Sequence, residues 1–147
     1  MEPTLYPMNE VMFSDDKSKL DIGMIHKFLS TSYWANGRTL DAVKKSIEHS
    51  HCFGIYLGDL QIGFARILSD YITIAYLMDV FIIEEYRGNG YSKLLLKRIF
   101  EDDRYRQVKK WLLATKDAHS LYANFGFENI KNADRLMEKL MPNKSNS

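Results

Sequence analysis

A single cysteine, Cys52, stands in a chain of 147 residues, so no internal disulfide can form. That favours an intracellular, reducing home. Cys52 lies in the apolar run Cys52-Phe53-Gly54-Ile55-Tyr56-Leu57, where a small buried hydrophobe is expected rather than a nucleophile. No charge sign dominates: 20 basic residues face 19 acidic ones, which removes the electrostatic reason to expect nucleic acid or an anionic membrane as partner. The apolar runs fall far short of the roughly 20 residues that span a bilayer. The opening Met1-Glu2-Pro3-Thr4 lacks the basic and apolar regions of a signal peptide. The four histidines sit at spacings that build no metal site, so no metal is expected. Neither a repeat nor a linker interrupts the chain. With 46% hydrophobic and 13% aromatic residues, it has ample material for one packed core.

The periodicity is that of one α/β unit. A short strand is expected near Asn9 to Phe13, then a turn at Ser14 to Lys17. Ile22, Ile25, Phe28 and Leu29 give helical spacing, with Asp21 or Ser18 as cap. Thr39 opens a second helix whose inner face is Leu40, Val43 and Ile47. Cys52 to Leu57 and Leu60 to Leu68 read as strands joined by Gly58-Asp59, and Tyr71 to Ile83 reads as a third strand. A helix follows from Tyr91, then a solvated connection from Glu101 to Gln107. Trp111 to Ala114 looks like a strand covered on both faces. Ala118, Leu121, Tyr122 and Phe125 form a helical face closed by Gly126, and Leu136 to Met141 is a candidate last strand. One domain over residues 5–141 and a polar tail over 142–147 result.

The chemistry centres on the stretch Asp79 to Lys93. A strand enters a loop holding Gly88 and Gly90, and a helix begins directly after it. Such a loop turns successive backbone N–H groups, and the positive end of the helix, onto one point. Phosphate oxygens are the ligand this suits. The dinucleotide fingerprint lacks its third glycine here, and the Gly-Lys-Ser/Thr of a Walker A loop is absent.

Tyr86-Arg87-Gly88-Asn89-Gly90-Tyr91-Ser92 resembles the acetyl-CoA-binding motif of the GNAT superfamily, Arg/Gln-x-x-Gly-x-Gly/Ala. Leu121-Tyr122-Ala123-Asn124-Phe125-Gly126-Phe127 is similar to that family's Leu-Tyr-x-x-x-Gly-Phe segment, and the likeness extends from about Val11 to Leu140. Ser92 departs from the family's usual Gly or Ala, a small change. The resemblance implies a mixed, mostly antiparallel central sheet flanked by helices, with acetyl-CoA as cosubstrate and an amine as acceptor, either a small molecule or a peptide. Homodimers are common among such proteins. It implies that Phe81 and Ile82 pair through their backbone with the pantetheine arm, and that Arg87, Gly88, Asn89, Gly90, Tyr91 and Ser92 hold the pyrophosphate. Tyr122 would protonate the leaving thiolate, or serve only as packing on its helical stripe. Asp117 would lie beside the CoA arm, or cap the helix from Ala118.

Acetyl transfer needs a neutral amine, a donor for the developing oxyanion and a proton for the thiolate. Asp79 is the candidate base, an acid inside an apolar strand where burial makes a carboxylate hold a proton more tightly. A structural carboxylate is its alternative, and water can carry the proton instead. Tyr33 and Trp34, in the connection between the first two helices, are candidates for an aromatic acceptor wall, or for packing. The alternative to an enzyme is a CoA-binding module of the same fold without chemistry.

Overall fold

The computed structural model describes residues 10–142; Asn9, the first residue of the expected opening strand, and most of the polar tail lie outside them. Five strands form one sheet in the order β1-β2-β3-β4-β5. These are β1 (Val11–Ser14), β2 (His51–Leu57), β3 (Leu60–Ser69), β4 (Ile74–Ile82) and β5 (Lys110–Leu112). The first three pairings are antiparallel and β4–β5 is parallel. The parallel pairing requires a crossover, and α3 (Tyr91–Phe100) supplies it. The remaining helices are α1 (Ile22–Thr31), α2 (Leu40–Glu48) and the short α4 (His119–Ala123).

The local chemistry explains the element ends. Asp21 caps α1 by accepting from Met24 N at 3.1 Å, and Thr39 caps α2 by accepting from Ala42 N at 3.1 Å. Gly58 turns the β2–β3 hairpin at φ +59°. The sheet separates two apolar cores. On one face Ile25, Leu29, Val43 and Ile47 from α1 and α2 meet Cys52, Phe64 and Phe81. On the other, Leu95, Leu96, Ile99 and Tyr122 from α3 and α4 meet Ile55, Ile67, Leu77 and Ile82.

Several expectations change. No strand forms over Leu136 to Met141. Leu136, Met137, Leu140 and Met141 are all exposed, and the segment joins no ladder. Trp111 to Ala114 is not a doubly covered strand: β5 is three residues long and only half-buried, because it lies at the sheet edge. Tyr71 to Thr73 are a turn rather than strand, drawn together as Asp70 accepts from Ile72 N and Thr73 N. Leu40 remains exposed. The charged connection after α3 is less solvated than its composition suggests, since Asp102 and Tyr105 are buried. Asp102 accepts from Arg98 and Arg104, which hold its carboxyl well below the usual range.

Two bulges set the phase of the central strands. β3 carries an extra residue near Ile62, and β4 one between Met78 and Phe81. Asp79 lies within the second at φ +53°, left-handed backbone that costs a non-glycine residue about 1–2 kcal/mol. Beyond the bulge, where Gly63 pairs with Ile82, β3 passes so close to β4 that a Cβ on Gly63 would stand 2.6 Å from the carbonyl oxygen of Phe81. Gly63→Ala is therefore expected to cost about 1–3 kcal/mol, as overpacking does. Urea denaturation measures it, and a midpoint equal to wild type would refute the close approach.

Candidate active site

The pairing of β4 with β5 stops at Tyr76 opposite Leu112, while β4 continues to Ile82. Beyond that point the two strands separate, leaving one edge of β4 from Leu77 onward without a strand partner among the described residues. A cavity of about 520 Å³ occupies the fork. Its walls come from β4, from Leu113 to Ala118 after β5, from Tyr122 of α4, and from Tyr33, Trp34 and Arg38 of the α1–α2 connection. A second cavity of about 870 Å³ lies on the side of α1 and reaches Phe81, Ile82 and Arg87. Val80, Tyr33, Trp34 and Asp117 line both, so the two meet across the open edge of β4.

Asp79 organises the first cavity. Met78 and Asp79 share the bulge, which delivers Asp79 to the α1–α2 face together with Phe81. Its side chain is 2% exposed. Oδ1 accepts from Trp34 Nε1 at 2.9 Å, and Oδ2 from Arg38 NH1 at 2.8 Å and Arg66 Nε at 2.9 Å. Arg66, itself buried, also donates to Ser50 Oγ at 3.1 Å. A free general base needs an oxygen open to the acceptor, and here both oxygens already accept. Trp34 covers this carboxylate, packs at 5.2 Å edge-on to Tyr33 and remains 38% exposed. It is thus both an anchor and a cavity wall.

Tyr33 spans the fork. Its hydroxyl accepts from Lys116 N at 3.1 Å, and the Lys116 ammonium lies 5.4 Å from its ring centre. Tyr122 is 9% exposed and lines the cavity from α4. Burial, followed by the neighbouring Tyr33, pushes its phenol up to about 12. It therefore holds its proton throughout the neutral range, as a proton donor must. Gly126 at φ +90° closes the α4 turn and lets Phe127 N reach back to Tyr122 O at 3.3 Å.

The loop between β4 and α3 is open to solvent. Gly88 and Gly90 have φ of +81° and +82°, and a Cβ on Gly88 would meet only open space. Gly90 is the N-cap of α3 and offers no side chain to its first N–H groups. These donors and the helix dipole suit an anion outside the protein. Arg87 donates from Nε to Ile82 O at 3.0 Å and lies 5.7 Å from the Phe28 ring centre, at the rim of the second cavity. Asn89 braces the loop by donating to Tyr86 O at 3.2 Å. Tyr91 is buried beneath it as core, and Ser92 is half-buried in the first turn of α3. Phe81 stacks on Phe28 at 3.9 Å and Ile82 enters the opposite core, so both contribute backbone rather than side chain to the open edge. Asp117 is exposed and does not cap α4; Ala118 holds that position, and Thr115 Oγ1 accepts from Ala118 N at 3.0 Å.

Arg38 and Arg66 escaped the sequence reading as site residues. Arg66 carried a usable signal: a lone guanidinium inside the apolar strand Phe64-Ala65-Arg66-Ile67 must find a buried anion, and Asp79 is the buried acid of the next strand.

If this cluster holds the wall together, Arg66→Met should destabilise the fold by about 3–5 kcal/mol, the range for breaking a buried ion pair. Trp34→Phe, which loses one hydrogen bond to a charged oxygen, should cost about 1.5–3 kcal/mol. Thermal and urea melts check both; unchanged melts would show that the cluster carries no load. Tyr122 supplies a spectroscopic test. In the unfolded chain its phenol ionises near pH 10, and in the native state near 12, so the stability it contributes is intact below pH 10 and lost as pH rises towards 12. Ultraviolet titration of the native protein should show a late phenolate step that Tyr122→Phe removes.

Comparison with known proteins agrees with this geometry. A family model described as acetyltransferase (GNAT) domain matches residues 48–129. The crystal structure of XCC2953 from Xanthomonas campestris pv. campestris, described as belonging to the GNAT family, is 42% identical with a TM-score of 0.86, covering 97% of this chain and 96% of that one. FG08082 of Gibberella zeae, which is named as an acetyltransferase, is 25% identical, with 90% of this chain and 88% of that protein covered. The fold is also that of Rv2747 from Mycobacterium tuberculosis, solved in complex with CoA and NLQ, at 14% identity and a TM-score of 0.67; there 82% of this chain and 73% of that one are covered. The chain belongs to the GNAT acetyltransferase family.

Proposed function

We propose that this protein is an N-acetyltransferase that uses acetyl-CoA to acetylate a primary amine by direct attack. The observation that carries this reading is the fork: the edge of β4 from Leu77 to Ile82 has no strand partner among the described residues, faces two joined cavities and ends at the anion-suited loop. The residues present fit the cosubstrate. The N–H groups around Gly88 to Ser92, with Arg87, suit its pyrophosphate. The edge of β4 at Phe81 and Ile82 offers backbone groups to an extended amide-containing arm, as a strand would. Asp117 borders the same passage. When bound, the cosubstrate supplies an acetyl thioester.

The chain's own groups then divide the work. Backbone N–H groups along the bulged part of β4 receive the developing oxyanion, fixed in place before reaction. Tyr122 donates its phenolic proton to the departing sulfur. Asp79 we assign to positioning, since its two oxygens serve Trp34, Arg38 and Arg66. The proton of the attacking amine passes to water at the cavity mouth. Tyr33 and Trp34 wall the acceptor end. Turnover would distinguish this from a CoA-binding module without chemistry. The buried, unpaired thiol of Cys52 suits a reducing cytoplasmic setting.

Acetyl-CoA should raise the melting temperature, because a ligand that binds only the native state stabilises it. Gly90→Val, at a positive φ and on the loop itself, should abolish the shift; equal shifts in both proteins would place the cofactor elsewhere. Tyr122→Phe should retain the shift yet lose about 100- to 10,000-fold in kcat, as expected for a lost general acid. Wild-type turnover in that variant would reduce Tyr122 to packing.

A further inference from the structure

We infer that the acceptor is a small amine that also carries a carboxylate, and that Arg38 recognises it. The inference rests on the acetyl-transfer reading and specifies its acceptor. Its basis is an imbalance of charge. Two guanidinium groups, Arg38 and Arg66, both donate to one oxygen of one carboxylate, Asp79. All three side chains are largely withdrawn from water, at 13%, 7% and 2% exposure. One positive charge is left over in a place where unbalanced charge is expensive. Arg66 spends a further donor on Ser50 and does not line the cavity. Arg38 does line it, and engages Asp79 through a single nitrogen. A guanidinium has five N–H donors in a planar fork, so Arg38 can hold Asp79 and still offer donors to a second carboxylate.

The other charges of the cavity agree. Lys116 and Asp117 stand beside each other on the far wall, one of each sign. Asp117 also borders the cofactor-side cavity, whereas Arg38 borders only the first. On the lining itself Arg38 and Lys116 are matched by Asp79 and Asp117, so the surplus positive charge at the acceptor end is that of Arg66 behind Asp79, which leaves Arg38 without an anion of its own. A polyamine, with several ammonium groups, would meet repulsion there and find both oxygens of Asp79 taken. An amine with a carboxylate brings the one negative charge that balances this cluster. A volume of about 520 Å³ suits a small molecule.

Product analogues test this without requiring turnover. The CoA-saturated protein would be titrated calorimetrically with the N-acetyl derivatives of the α-amino acids, with N-acetyl ω-amino acids, with the primary carboxamides of both, and with N-acetyl diamines. At least one carboxylate should bind roughly 10- to 150-fold more tightly than its own carboxamide, the span of one hydrogen bond to a charged group. The α and ω sets tell where that carboxylate sits. Arg38→Gln should erase the preference and Arg38→Lys should retain part of it. Lys116→Gln, an equal charge change on the far wall, should leave it intact. Carboxamides or diamines binding as well as carboxylates, no carboxylate binding at all, or a preference that follows Lys116 would each overturn the inference. Failure here is separable from failure of the acetyl-transfer reading. Melting with acetyl-CoA in the same samples tests the cofactor loop, and acetylation confined to amines without a carboxylate would remove this inference alone.

Discussion

The carboxylate of Asp79 is the knot of this fold. It joins a strand, its neighbour in the sheet and the connection between two helices through three short hydrogen bonds. Burying it would be prohibitive without those donors, and burying the donors would be prohibitive without it. The interaction thus stabilises little in excess of its cost but allows few alternatives. Trp34 and Arg38 can reach Asp79 only if α1 and α2 lie against this face. Arg66 can reach it only in the observed register. Specificity of arrangement, more than depth of stability, is what such a cluster contributes.

Placing the acid at φ +53° has a second effect. The bulge interrupts the ladder next to the point where β5 departs, so the sheet is loosened on one side of β4 and released on the other. A strand with a bare edge inside a protein would ordinarily invite pairing with another chain. Here the α1–α2 connection and the β5–α4 loop close over it, joined by the Tyr33–Lys116 hydrogen bond. The covering contact leaves a cavity beside the edge but denies it to a partner strand.

What the sequence disclosed follows from how locally each feature is encoded. The helix starts at Asp21 and Thr39, the Gly58 turn and the glycine loop rest on a few adjacent residues, and all were legible. The strand expected over Leu136 to Met141 does not form, because a few apolar residues make a strand only where another strand pairs with them. β5 was misjudged for a similar reason: apolar content does not tell an edge from a centre. Tyr71 to Thr73 have strand-forming side chains, yet Ser69 claims the backbone donor of Tyr71, and Asp70 those of Ile72 and Thr73, first. The conformation of the glycine loop was readable because it rests on Gly88 and Gly90 themselves. Asp79 was picked out as a buried acid but its partners were not, since Arg38 and Arg66 stand 41 and 13 residues away and only tertiary structure introduces them.

The bulge in β4 also governs what kind of sequence change the protein can absorb. Up to Leu77 the strand alternates in one parity, and from Phe81 it alternates in the other, so Leu77 and Ile82 enter the same core although five positions separate them. Exchanging one side chain for another there, Asp79 apart, leaves the parity unchanged. Removing or adding a residue between Met78 and Phe81 is not, because it transposes Phe81 and Ile82 between the two cores and turns the loop beyond them to the opposite face. The count of residues through this segment is therefore held fixed by the geometry on either side, as the identity of Asp79 is by its three donors.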